Sequence, residues 1–328
     1  MNGEGSDNTK RAILEVRGIN KRFGKRQVVK DASFDVYAGE IFGFLGPNGA
    51  GKTTTIKMIL SFLFPDSGEI RICGKDLRTE YEAAMANVGG IVENPDMFKE
   101  FSGLDNLKMY GAIQNGVTQE RIDEVVRLVG LEKRIKDKVR KYSLGMKQRL
   151  GVAQSILHRP KLLLLDEPTN GLDPNGIREL RLLLRRLADE EGVAVFVSSH
   201  QLAEMDLMCD RVCVIDNGVI KGEMTVEELR HAGGSEREFV YTVTDVKTAE
   251  TIFRGLGLEP VTAAVNSFAS ASAGDNNSSI SVRMDQARLA EVNGALVSGG
   301  VNILTVSEVS RSLEDLFMAL TGGGGSIE

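Results

Sequence analysis

The sequence predicts an α/β fold followed by a smaller α+β domain, and three observations carry that expectation. Short apolar runs alternate with stretches of helical periodicity through the first 230 residues. A glycine-rich turn and a pair of adjacent acids stand at the ends of two of those runs. Past residue 235 the signals run strand, helix, strand, strand, helix, strand.

Taken in order, residues 13–16, 40–45, 162–166, 194–198 and 212–215 are short and apolar. They read as buried strands of a largely parallel sheet. Residues 51–63 and 176–190 carry helical spacing, each after one of those strands. Ser102-Gly-Leu-Asp105 and Thr225-Val-Glu-Glu228 fit the Ser/Thr-x-x-acid pattern of a helix start. Between about 95 and 141 the strand signals vanish, and 104–113 and 119–129 are helical in spacing, so this stretch is a helical insertion. A boundary falls at His231-Ala-Gly-Gly-Ser235. Beyond it strands are expected at 239–243, 261–269, 280–284 and 302–306, helices at 247–256 and 286–298, and a polar loop at 274–279. That order is a split-βαβ domain. A last amphipathic helix is expected at 312–320, with Leu313, Leu316, Phe317 and Leu320 on one side. The expected organisation is a disordered tail at 1–10, a main domain at 11–230, an accessory domain at 235–321 and a flexible Gly/Ser tail at 322–328.

Composition narrows the function. Of 328 residues, 40 are Lys or Arg and 46 Asp or Glu, a net charge of −6, which argues against a nucleic-acid partner. At 42% hydrophobic and 26% charged, the chain has the material for a core. Its longest apolar stretch, around 58–64, falls well short of the roughly 18 residues a membrane span needs. The opening has no apolar segment of the kind a secretory signal carries, so no signal peptide is expected. Cys73, Cys209 and Cys213 make neither a disulfide framework nor a zinc spacing, and read as reduced thiols.

Gly46, Pro47, Asn48, Gly49, Ala50, Gly51, Lys52, Thr53 and Thr54 fit G-x-x-x-x-G-K-[ST] between an apolar run and a helical pattern. Glycines let such a loop wind with its N–H groups inward, and the helix start adds positive potential. Lys52 would reach the terminal phosphates of a nucleoside triphosphate, and Thr53 would offer its hydroxyl to Mg²⁺. Asp166 and Glu167 end the run Leu162-Leu-Leu-Leu-Leu. Parallel sheets bind ligands at the carboxyl ends of their strands, so Asp166 is placed to hold Mg²⁺ and Glu167 to orient or deprotonate the attacking water. His200 ends another strand and is a second catalytic candidate; His158 and His231 have no such context.

Lys141-Tyr-Ser143-Leu-Gly145-Met-Lys-Gln148 precedes the acidic strand by about twenty residues, and Gly171-Leu-Asp173-Pro174 follows it. With the phosphate loop, Asp166-Glu167 and Ser199-His200, this order resembles the ATP-binding subunits of ABC transporters over roughly residues 12–230. The Tyr-Ser-Leu-Gly-Met form is similar to the bacitracin-resistance and lantibiotic-immunity exporter branch. The resemblance implies a P-loop NTPase fold of the ABC ATPase type, with a mixed sheet and helical insertion, plus the small accessory domain. It implies that Ser143 and Gly145 face the ATP of a second subunit, that Asp173 lies at the dimer interface, and that Phe23 stacks on adenine. It implies a homodimer around two Mg-ATP and a separately encoded permease, docked near residues 93–110 at the inner face of the membrane. Two departures stand out. Leu144 and Met146 replace the usual Gly and Gln of the signature. Glu93 takes the place of a Gln that contacts Mg²⁺ and the attacking water, and as an ionised group it can only accept hydrogen bonds; it is expected to face the metal with Thr53 and Asp166, to tune hydrolysis and to signal to the helical insertion. The other function class with such a core is an ABC ATPase acting on ribosomes or DNA without transport. For the accessory domain a ligand pocket, a dimer brace and a packing module all remain open.

Overall fold

The computed structural model describes residues 12–93, 95–114, 116–231, 236–262 and 278–309. The chain forms two compact units that part between Val226 and Glu227.

The first unit opens with a hairpin, β1 (Ala12–Phe23) and β2 (Arg26–Tyr37), turned at Gly24 with φ +58. Then come β3 (Ile41–Leu45), α1 (Lys52–Ile59), β4 (Ser67–Ile72), β5 (Lys75–Asp76), α2 (Tyr81–Met85) and β6 (Val88–Ile91). The helical insertion holds α3 (Gly103–Ile113), α4 (Gln119–Leu128) and a 3₁₀ turn, Val139–Lys141. After it follow α5 (Leu144–Ile156), β7 (Leu162–Asp166), α6 (Pro174–Glu191), β8 (Ala194–Ser199), α7 (Leu202–Met208), β9 (Arg211–Asp216) and β10 (Val219–Thr225).

The strands make two sheets, an antiparallel β2-β1-β4-β5 and a six-stranded β10-β9-β3-β8-β7-β6. The second is parallel except for β10, which runs antiparallel to β9. Residues 13–16 therefore do not join the parallel sheet as expected. The strand they open continues to Phe23 and pairs with its own hairpin partner, and an apolar run by itself does not specify which neighbour it meets. The expected helix at 51–63 also stops early, because Ser61 turns left-handed at φ +59 and Pro65 follows. The expected helix starts at Ser102 and Thr225 are present. Ser102 and Asp105 form a reciprocal capping box on α3, and α8 (Val226–His231) begins right after Thr225.

Four phenylalanines join the two sheets. Phe34 of β2 meets Phe42, Phe44 and Phe196 at 5.7, 5.4 and 5.9 Å between ring centroids. All four are buried, and each such pair adds about 0.5–1.5 kcal/mol beyond the area it hides. This cluster lies beneath the strand ends that carry the polar residues.

The second unit contains β11 (Glu236–Val243), α9 (Val246–Gly255), β12 (Pro260–Thr262), β13 (Ser278–Asp285), α10 (Leu289–Ser298) and β14 (Ile303–Val309). They form an antiparallel sheet of order β12-β13-β11-β14, the split-βαβ order. Tyr241 and Phe253 meet edge to face at 5.3 Å in its core, with Val282, Val292 and Leu296 around them. The expected tails at 1–10 and 322–328, most of the strand at 261–269 and of the loop at 274–279, and the helix at 312–320 lie outside the described residues.

Candidate active site

Strand order builds the site. β8 pairs in parallel with both β3 and β7, so Leu45 stands opposite Ser199 and Asp166 opposite Ser198. The exit of β3 and the two acids thus come to one edge of the sheet, with β8 between them.

The loop after Leu45 starts against that middle strand, with the Gly46 N–H donating to the Ser199 carbonyl at 3.3 Å. A Cβ at Gly46 would stand 2.2 Å from the Ile215 carbonyl oxygen, so no larger residue fits. Gly51 takes φ +111 and caps α1 with no side-chain hydrogen bond, leaving the first-turn N–H groups for an anion. Lys52 is 5% exposed. Its Nζ donates to the carbonyls of Gly46 at 2.6 Å and Pro47 at 3.2 Å, and pairs with Glu167 Oε1 at 3.1 Å. Pro47, Asn48 and Gly49 are exposed, Ala50 is buried, and Thr53 and Thr54 are half-buried in the first turn of α1.

Ser198 organises the acids. Its hydroxyl, fully buried, donates to Asp166 Oδ1 at 2.6 Å and accepts from the Glu167 N–H at 2.9 Å. That holds Glu167 in a left-handed conformation, φ +48, which is strained for a side-chain-bearing residue. Glu167 Oε2 accepts from His200 Nδ1 at 2.8 Å. The carboxylate is therefore suspended between the Lys52 ammonium and the imidazole. Sequence reasoning missed Ser198; the only signal was a pair of serines closing an otherwise apolar strand.

A second group of expected residues gathers around α5 and α6. Ser143, exposed, caps α5 by accepting from the Met146 N–H at 3.2 Å. Asp173 caps α6 through the Gly176 N–H at 2.9 Å. A Cβ on Gly145 would lie 3.9 Å from Gly176, and one on Gly171 would lie 3.1 Å from the Leu144 side chain. Leu144, the departure from the usual small residue, thus packs over the turn that leads to Asp173.

Phe23 and Glu93 stand elsewhere. Phe23, 49% exposed, is opposite Arg26 in the hairpin, with Lys21 Nζ 5.8 Å from its ring. Arg26 Nη2 comes within 3.9 Å of where a Cβ on Gly49 would be, so this hairpin end borders the phosphate loop. Glu93, with φ +64 and a side chain 70% exposed, pairs with Lys57 of α1 at 3.3 Å. Among the described residues no group of three or more His, Cys, Asp or Glu side chains could hold a metal ion, so Glu93 does not join Asp166 and Glu167 in a ready-made cage.

The family described as ABC transporter matches residues 29–170. The chain is 41% identical to the ABC transporter ATP-binding protein YhcH of Bacillus subtilis, over 95% of this chain and 97% of that one. It is 36% identical to the bacitracin transport ATP-binding protein BcrA of Bacillus licheniformis, over 95% and 98%. A solved ATP binding subunit of an ABC transporter superposes with a TM-score of 0.60 at 30% identity, over 68% of this chain and 93% of that one. A triphosphate loop, two carboxylates on the same edge of the sheet and full-length likeness to these proteins lead to one conclusion: the chain belongs to the ABC transporter family, as an ATP-binding and ATP-hydrolysing subunit that works with a membrane permease.

Proposed function

We propose that the chain hydrolyses ATP as a head-to-tail homodimer around two Mg-ATP and so drives an exporter whose permease is a separate chain. The observation that carries the reading is the suspended Glu167 carboxylate, held by Lys52 on one oxygen and by His200 on the other. In that setting Glu167 is the base that orients and deprotonates the attacking water, and His200 keeps it aimed. The backbone of residues 46–51 and Lys52 hold the phosphates, and Phe23 stacks on adenine beside the loop.

Thr53 and Asp166 would hold Mg²⁺. The absence of a larger carboxylate cluster among the described residues suits this ion, which takes one or two protein oxygens and completes its shell with phosphate and water. Bound there, Mg²⁺ would neutralise phosphate charge during transfer. Glu93 would approach the metal only by leaving Lys57, and in that exchange it would tune hydrolysis.

Ser143, exposed, and Gly145, half-buried, open α5, which supports their presenting a helix start to the partner's ATP, with Asp173 beside them at the interface. Among the described residues no helix is long and apolar enough to cross a membrane, in keeping with a subunit that sits on the inner face of the membrane through its permease. Phe98 and Phe101, half exposed and edge to face at 6.0 Å, support a docking face near residues 93–110. The BcrA relative is named for bacitracin transport; by analogy the cargo class is an antibiotic peptide or drug. The accessory domain is proposed as structural support.

The test is light scattering on E167Q with and without Mg-ATP. ATP should convert monomer to dimer, and S143R should abolish the shift. ATP binding without dimer formation would overturn the homodimer in favour of a heteromeric complex.

A further inference from the structure

Glu204 lies in the first turn of α7, four residues past His200. Its Oε2 accepts from the Thr169 hydroxyl and, at 3.5 Å, from the Ser199 hydroxyl. Thr169 and Ser199 are 2% and 1% exposed, so water is a poor substitute for the carboxylate at either site. Each hydroxyl belongs to a segment that matters. Thr169 sits in the turn between Glu167 and Asp173, where its carbonyl accepts from the Leu172 N–H at 3.0 Å and that of Glu167 from the Asn170 N–H at 3.2 Å. Ser199 borders the phosphate loop through its carbonyl, and its hydroxyl accepts from the Gln201 N–H at 2.9 Å.

One carboxylate thus ties the loop carrying Glu167 to the strand end and helix that flank His200. We propose that Glu204 is a positioning residue for hydrolysis, acting through Thr169 to hold Glu167 and His200 in register; this rests on the reading of those two residues as the base and its orienter. Hydrogen bonds to an ionised acceptor are stronger than neutral ones. The 2.8 Å contact between His200 and Glu167 joins side chains from different strands, so it depends on how the two segments are held together. A displacement of about 1 Å in a reacting geometry costs on the order of 100-fold in rate. Glu204 bonds Thr169 and Ser199, whereas Lys52 bonds the Gly46 and Pro47 carbonyls and Glu167, so ATP binding should survive the loss of Glu204.

The experiment measures kcat and KM for ATP on the full chain carrying E204A, E204Q, T169V or E204A/T169V, with E167Q alongside and melting temperatures for each. E204A is expected to lower kcat by about 10- to 100-fold, with KM within about threefold of the parent. E204Q, whose amide oxygen still accepts from Thr169, should recover most of the rate. T169V, which removes only the donor, should match E204A, and the double variant should fall no further than the lower single one. A lower melting temperature with unchanged kcat, KM rising in step with the fall in rate, or losses that multiply in the double variant would each overturn the proposal. Should E204A fail to fold, T169V carries the test. Wild-type hydrolysis by E167Q would instead refute the assignment of the base.

Discussion

Ser198→Ala is the sharpest perturbation of this site, because one oxygen atom serves a buried carboxylate and the part-buried backbone N–H that follows it. Its removal leaves Asp166 Oδ1 without the donor at 2.6 Å and the Glu167 N–H without the acceptor at 2.9 Å. A hydrogen bond to a charged group contributes about 1.5–3 kcal/mol, and a buried N–H left unsatisfied costs about 1–3 kcal/mol. Taking the low end of both, the loss is about 2.5 kcal/mol, or about 5–10 °C in the melting temperature of a unit this size. Activity should fall as well. Glu167 is held at φ +48, a conformation costing about 1–3 kcal/mol, and without its anchor the backbone is free to relax away from Lys52 and His200. Release of about 1.4 kcal/mol of that strain is enough for a tenfold drop in kcat. Differential scanning fluorimetry and steady-state ATP hydrolysis read the two effects. A variant within 2 °C and twofold of the parent, thresholds set at about the noise of such assays, would refute the reasoning.

Three further outcomes follow from the geometry. Ser102→Ala dismantles the capping box on α3 and should cost about 1 kcal/mol, seen as a thermal shift of about 2–4 °C with nucleotide affinity unchanged. At pH 8 a thiol reagent should label Cys73, half-buried, ahead of Cys209 and Cys213; burial raises the thiol pKa of both and pushes Cys213 up to about 12, so these two should react only on unfolding, and rapid labelling of all three would contradict the fold. His158, whose Nε2–H donates to the Val88 carbonyl at 3.0 Å, is held neutral by burial, which lowers its pKa from the ordinary 6.5. Its contribution is fully present above pH 6.5 and is lost as the pH falls below it, because the unfolded chain takes up a proton the buried ring resists. Thermal stability of His158→Gln should therefore fall less steeply on acidification than that of the parent.

Most of the site was legible in the sequence because its chemistry depends on residues that leave local marks. Gly46 and Gly51 announce a turn that side chains cannot make, and Asp166-Glu167 breaks a run of leucines. The residues that escaped are those whose role depends on pairing across the chain. Ser198 becomes a bridge only because β7 and β8 align Asp166 with it, 32 residues away. Glu204 matters only because a helix after β8 brings it to Thr169, 35 residues distant. Lys57 reads as an ordinary helix cation until the chain after β6 brings Glu93 against it. In the fold, β2 and β4 interleave charged and apolar residues and gave no apolar run to find, whereas the β7 and β8 cores did. The segment at 13–16 reads correctly as a strand but joins the antiparallel sheet, since its partner is set by the hairpin turn rather than by its own composition.

The phenylalanine cluster also bears on how the first unit comes apart. Phe34 is the antiparallel sheet's ring in a group otherwise supplied by the parallel one, and Phe42 and Phe44 each lie within 5.7 Å of Phe196. Peeling the hairpin away would strip one face from three rings at once, so the hairpin has no cheap route to open alone. Amide hydrogen exchange should therefore show the strand around Phe34 exchanging with the same free energy as β3 and β8, as one cooperative block. The hairpin end proposed to stack on adenine and the strands that lead into the proposed phosphate site would then be lost together or not at all, which makes the nucleotide site an all-or-none element under thermal or chemical stress.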